Sequence, residues 1–163
     1  MTLALHAPLT DADRVEVERL YLDYCSVVDG GDLERWPEFF TADCSYRIMS
    51  RENVRRGLPL SLMRCDSRDM LSDRVNAIRS SAFYVSRVVR HVVGLLDART
   101  VGDHLSVRAN FAVYESLPRA ASTLLCVGAY DDIVVREAGA LVFQQKHCIY
   151  DGDLVVDSIV YPL

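Results

Sequence analysis

The 163-residue sequence has no apolar run of the eighteen or so residues that a membrane-spanning helix needs. Its opening, MTLALHAPLTDADR, has neither the basic leader nor the full apolar core of a secretory signal, so the cytoplasm is the expected compartment. It has no basic excess either. The formal net charge is -5, whereas a nucleic-acid binder normally presents a basic face; the cluster Arg51, Arg55, Arg56 and Arg64 reads equally well as a solvated or subunit-facing surface. The five cysteines, Cys25, Cys44, Cys65, Cys126 and Cys148, are widely scattered and include no CxxC pair. That spacing fits reduced, mostly buried thiols and not a disulfide framework.

Chemical signatures are equally sparse. The four histidines, His6, His91, His104 and His147, form no HxH, HxxxH or HExxH pair. His147 and Cys148 are adjacent on an expected strand and therefore face opposite ways, which disfavours a shared ion. A Rieske cluster needs paired Cys and His motifs, and these are missing. There is no GxxxxGK[ST] or GxGxxG loop to cradle phosphates and no GxSxG nucleophile turn.

What is present is the composition of one ordinary globular domain: half the residues are hydrophobic and a quarter are charged. One domain spanning residues 1–163 is expected, with residues 1–9 as a flexible tail. Thr10 is placed to cap a helix, with Asp11 and Asp13 at its positive end. Val17, Leu20, Tyr21, Tyr24, Val27 and Val28 recur at helical spacing, and Gly30-Gly31 stops the helix. A short second helix carries Leu33, Trp36, Phe39 and Phe40, and Pro37 keeps it short. Alternation at Cys44, Tyr46 and Ile48 predicts a strand, and residues 50–65 read as an irregular loop. A third helix, capped by Asp66 or Ser67, presents Leu71, Val75 and Ile78.

Beyond residue 87 the chain becomes a series of strands rich in Val, Leu, Ile, Tyr and Phe. Asp151-Gly152 predicts a hairpin before the last one. Helices first and an antiparallel sheet afterwards mean an α+β fold, with a curved sheet wrapped around the helices.

Such a shape makes a pocket, and Asp29, Asp43, Tyr46 and His91 are the residues that could share it. A carboxylate and an imidazole in an apolar cavity can exchange protons with a substrate, as in a free-standing isomerase or dehydratase, or the pocket could simply bind a small molecule. Each residue also has a structural explanation: Asp29 ends a helix, Asp43 precedes a strand, and His91 sits on one. Trp36, Phe39 and Phe40 read as core anchors. Asp73-Arg74 suits an interface ion pair or a solvated surface pair, and Arg90-His91, set between apolar residues on a strand, needs a partner inside the chain or across an interface.

The run DLERWPEFFTADCSYRIMSREN (Asp32 to Asn53) resembles the small, or beta, subunits of aromatic-ring-hydroxylating oxygenases. DMLSDRVNAIR, RHVVG, ANFAVYES and CIYDGDLVVDSIVYPL follow in the family's order, so the resemblance covers nearly the whole chain. It is similar to the salicylate 5-hydroxylase and terephthalate dioxygenase types, and SRENVRRGLPL and IVYPL lean toward the former. The resemblance implies an NTF2-like cone of strongly curved, mostly antiparallel sheet. It implies a structural chain with no cofactor of its own, assembled three-and-three with a large, or alpha, subunit. That large subunit would carry the Rieske [2Fe-2S] cluster and a mononuclear Fe(II), fed from NADH through a reductase. Trp36, Phe40, Asp43 and Tyr46 match the family's recurring pattern and should shape the fold. Arg51, Asn53, Asp73, Arg74, Arg90 and His91 match its polar positions and are the candidate interface residues.

Overall fold

The computed structural model describes residues 7–80, 87–152 and 159–163. The first helix, α1 (Asp11–Gly30), begins as expected: the Thr10 hydroxyl accepts from the Asp13 amide at 3.1 Å. It ends at Gly31, whose φ of 73° puts its amide within reach of the Val27 and Val28 carbonyls. All six apolar residues at helical spacing are buried. Pro37 tightens the next segment into a 3₁₀ helix, Leu33–Phe39, with Trp36 fully buried.

Strand β2 (Phe40–Ser50) follows, with Cys44, Tyr46 and Ile48 facing the core. The expected loop at 50–65 contains two elements. The Ser50 hydroxyl caps a one-turn helix, α2 (Arg51–Arg55), by accepting from the Asn53 amide. Strand β3 (Met63–Cys65) pairs antiparallel with β2. Helix α3 (Arg68–Ser80) is capped by Ser67, the second of its two candidates, and buries Leu71, Val75 and Ile78.

Four long strands complete the sheet: β4 (Val88–Val101), β5 (His104–Ser116), β6 (Thr123–Glu137) and β7 (Ala140–Tyr150). They form an antiparallel meander, and β7 then pairs in parallel with β2. At the other edge the first strand, β1 (Ala7–Pro8), pairs with β4, so the expected tail is partly anchored; residues 1–6 lie outside the described residues. The order is β1-β4-β5-β6-β7-β2-β3. The hairpin expected after Asp151-Gly152 leads into residues 153–158, outside the described residues. Among the described residues no helix is long and apolar enough to cross a membrane.

The inner face of β5 presents Val107, Ala109, Phe111 and Val113, all buried, against the helices. The outer face presents Arg108, Asn110 and Tyr114 to solvent.

Candidate functional site

The cone interior is filled by side chains. Tyr21, Tyr24, Trp36, Phe40, Tyr46, Tyr130 and Phe143 are all buried and meet in edge-on and tilted ring contacts, such as Trp36 to Tyr46 at 5.0 Å. In their midst lies Lys146, the only lysine in the sequence and fully buried. Its Nζ sits 3.4 Å from the Tyr130 ring centroid and 4.7–4.9 Å from those of Tyr21, Tyr24 and Phe143. These ring faces carry the negative part of the aromatic quadrupole, so they complement an ammonium. Lys146 also pairs with Asp132 Oδ2 at 3.1 Å, and the Tyr21 hydroxyl donates to the same oxygen. The His147 amide donates to Asp132 Oδ1 at 3.1 Å.

Burial raises the Asp132 carboxyl above its ordinary range, while Lys146 and these hydrogen bonds act the other way. Burial likewise lifts the surrounding tyrosines well above 10 and pushes the Cys148 thiol up to about 12 and that of Cys25 to about 11. These thiols stay protonated at neutral pH.

Lys146 was missed in the sequence. The signal was there, because a lysine shares the inward alternation of β7 with Cys148 and Tyr150. A charge on that apolar face needs a buried partner, and Asp132 is directly opposite it in the β6–β7 register.

Of the four pocket candidates, the structure brings two together. Asp29, at the end of α1, accepts from the His91 backbone amide at 3.0 Å, and its Oδ1 lies 2.6 Å from His91 Nδ1. Both side chains are buried. Asp43 is exposed on β2, where the β2–β7 register breaks between Phe40 and Ser45. The Tyr46 hydroxyl is elsewhere in the core, accepting from the Leu163 amide at 2.8 Å. The four therefore do not form one acid–base set.

The interface candidates also divide. Arg90 is 69 % exposed, with Asp29 no closer than 3.8 Å, and Asp73 is exposed. Arg74 is turned inward and donates to the Val160 carbonyl at 2.9 Å rather than pairing with Asp73. Arg51 pairs with Asp151 at 2.7 Å, and Asn53 ties its own loop by donating to the Leu60 carbonyl. The His91 side chain is 0 % exposed, so it offers no contact to a neighbouring subunit.

A groove of about 590 Å³ opens between α1 and β4, lined by Tyr21, Leu22 and Cys25 on one side and His91, Val93 and Leu96 on the other. Among the described residues no three side chains of His, Cys, Asp or Glu converge as a metal site would require.

A curved seven-stranded sheet over N-terminal helices is the architecture of the SnoaL-like domain, whose family model matches residues 10–147. Two relatives narrow this. The chain is 33 % identical to the anthranilate 1,2-dioxygenase small subunit of Burkholderia cepacia, over 91 % of this chain and 92 % of that one. It is 29 % identical to subunit beta 1 of the terephthalate 1,2-dioxygenase terminal oxygenase component of a Comamonas species, over 93 % and 99 %. A crystal structure from Novosphingobium aromaticivorans, provisionally named the beta subunit of an aromatic-ring-hydroxylating dioxygenase, superposes with a TM-score of 0.84 at 30 % identity, covering 93 % of this chain and 97 % of that one. The chain belongs to the SnoaL-like family and, within it, to the small subunits of aromatic-ring dioxygenases.

Proposed function

We propose that this chain is the structural small subunit of a multicomponent oxygenase that hydroxylates an aromatic carboxylate. The observation that carries the reading is the 33 % identity to a dioxygenase small subunit across nearly the full length of both chains. Anthranilate and terephthalate are both aromatic carboxylates, which supports that substrate class over neutral arenes.

The geometry supports a scaffolding role. The interior around Tyr24, Tyr46 and Phe143 is occupied by interlocked aromatic rings and the Lys146–Asp132 pair, which act as core. The chemistry then belongs to a large subunit carrying a Rieske cluster and a mononuclear iron, with electrons from NADH through a reductase. Three small and three large subunits make up the assembly, in the cytoplasm.

The test is to tag this chain in its native host, pull it down and record the mass and visible spectrum of what accompanies it. A brown partner of large-subunit size with iron–sulfur absorption is the expected result. A colourless chain recovered alone from cells grown on aromatic acids would overturn the reading.

A further inference from the structure

Arg47, Arg64 and His147 share the outer face of the sheet. Each lies between two buried neighbours on its strand: Tyr46 and Ile48, Met63 and Cys65, Lys146 and Cys148. The register sets Arg47 directly opposite Arg64 across β2–β3 and directly opposite His147 across β2–β7. Like charges at opposed positions repel and weaken a strand pair. One acid serves both arginines. Asp66 Oδ2 accepts from Arg64 Nε at 2.7 Å, while Oδ1 stands 3.6 Å from Arg47 Nη2, beyond hydrogen-bonding range. By contrast, Arg51, Arg79 and Arg136 each hold a carboxylate of another segment, at 2.7, 2.7 and 2.6 Å.

Arg47 is therefore the poorly matched cation. Its side chain is only 28 % exposed, so water screens it incompletely, and its Nε is buried without an acceptor. His147 does not supply the missing charge. Burial, and then Arg47, hold its pKa down to about 4 against the pull of Asp131, so the ring is neutral at pH 7. Asp131 itself lies one strand further on, on the far side of His147. Two guanidiniums thus stand over a single carboxylate. Beside them Leu62 is 54 % exposed, held against β2 by its amide bond to the Ile48 carbonyl.

We infer that Arg47 and Arg64 form an oxyanion site that takes one carboxylate, with apolar material next to that carboxylate resting on Leu62. A guanidinium fork matches the two oxygens of a carboxylate, and a second anion removes the repulsion between the opposed arginines. The carboxylate comes either from a free organic acid or from an Asp or Glu side chain of an adjoining subunit. The second source rests on the assembly reading; the site itself does not, because both arginines belong to this chain.

The experiment has two arms. In the first, the isolated full chain is titrated with benzoate, against potassium chloride at matched ionic strength, and followed by calorimetry and by the ¹⁵N resonance of Arg47 Nε. In the second, assembly of the purified complex is measured for Arg47→Gln and Arg64→Gln. A free acid predicts saturation with a Kd on the order of 1 mM and a shifted Nε resonance. Binding should then be at least tenfold weaker in each variant and unchanged in Arg55→Gln, whose guanidinium pairs with Glu52 on its own helix. A carboxylate from an adjoining subunit predicts no saturation by benzoate, but assembly at least tenfold weaker in both variants with an unaltered far-UV spectrum. Either result supports the site. Benzoate binding equally well to both variants, or no saturation together with parental assembly of both, would overturn it. If no partner accompanies the chain, the assembly reading fails and the benzoate arm alone decides, its failure to saturate overturning the site.

Discussion

At the scale of single residues, the energetics centre on the buried pair Lys146 and Asp132. Removing one member of such a pair leaves the other charged, dehydrated and unmatched, which costs far more than the pair itself contributes. Lys146→Met should therefore destabilise the chain by about 3–5 kcal/mol in urea denaturation. Adding Asp132→Asn should recover much of that loss, since the amide oxygen still accepts from Tyr21 or His147 without a net charge. A double variant no more stable than Lys146→Met would show that the charge is not the source of the cost. His147 gives the pH dependence. Burial, with Arg47 nearby, lowers its pKa from 6.5 to about 4, against the pull of Asp131. Between those values the unfolded chain binds the extra proton, so stability is complete above pH 6.5 and falls as pH drops toward 4. Discounted for partial exposure, the loss is on the order of 1–2 kcal/mol. His147→Gln should flatten this slope between pH 7 and 4.5. Asp29 and His91 were legible as chemically capable residues. Their pairing was not, because 62 positions separate them and only the packing of α1 on β4 brings them together.

At the scale of elements, the sequence was most informative where a local rule decides the structure. Thr10, Gly31 and Pro37 set the ends and character of the first two helices through capping, a left-handed φ and a fixed ring. The segment 50–65 shows where local rules stop. Its one-turn helix is too short to leave a periodic pattern, and three-residue β3 exists because β2 offers an edge to pair with. The parallel pairing of β2 with β7 was illegible for the same reason, since about a hundred residues intervene between Ser45 and Gln145. One glycine carries that part of the sheet. A Cβ at Gly128 would collide with the Ile149 carbonyl oxygen and come within 2.8 Å of Tyr150 Cα, both backbone atoms of β7. Because backbone cannot swing aside as a side chain can, Gly128→Ala should cost about 1–3 kcal/mol. It should also speed amide exchange at the Asp151 end of β7, where the Asp151 amide bonds to the Val127 carbonyl. Unchanged exchange there would mean that the strands separate without loss.

At the scale of the whole molecule, the outer face of the sheet bears on assembly. Arg90 lies between Val88 and Val92 on β4, opposite Tyr114 of β5, which in turn faces Leu124 of β6; Val127 faces Ala112 one step along. Val88, Val92, Leu124 and Tyr114 are each 43–56 % exposed and Val127 is 37 % exposed, which makes a contiguous apolar patch with one cation at its centre. Arginine and tyrosine set among aliphatic residues are the composition of an interface core, where a few central side chains supply most of the binding energy. A surface ion pair adds little by comparison, and the nearest acid, Asp29, is 3.8 Å away. We propose that another subunit of the complex covers this patch around Arg90. Arg90→Ala should then weaken assembly about tenfold or more, and Leu124→Glu, which places a charge among apolar neighbours, should separate the small subunit from its partner. Neither change touches the buried core, so the melting temperature of the isolated chain should stay within a degree or two of the parent's. Native mass measurement of the co-purified complex decides the matter. An unchanged mass for Leu124→Glu would place the subunit contacts on another face, and a large drop in melting temperature would mean that the variant reports on folding and not on assembly.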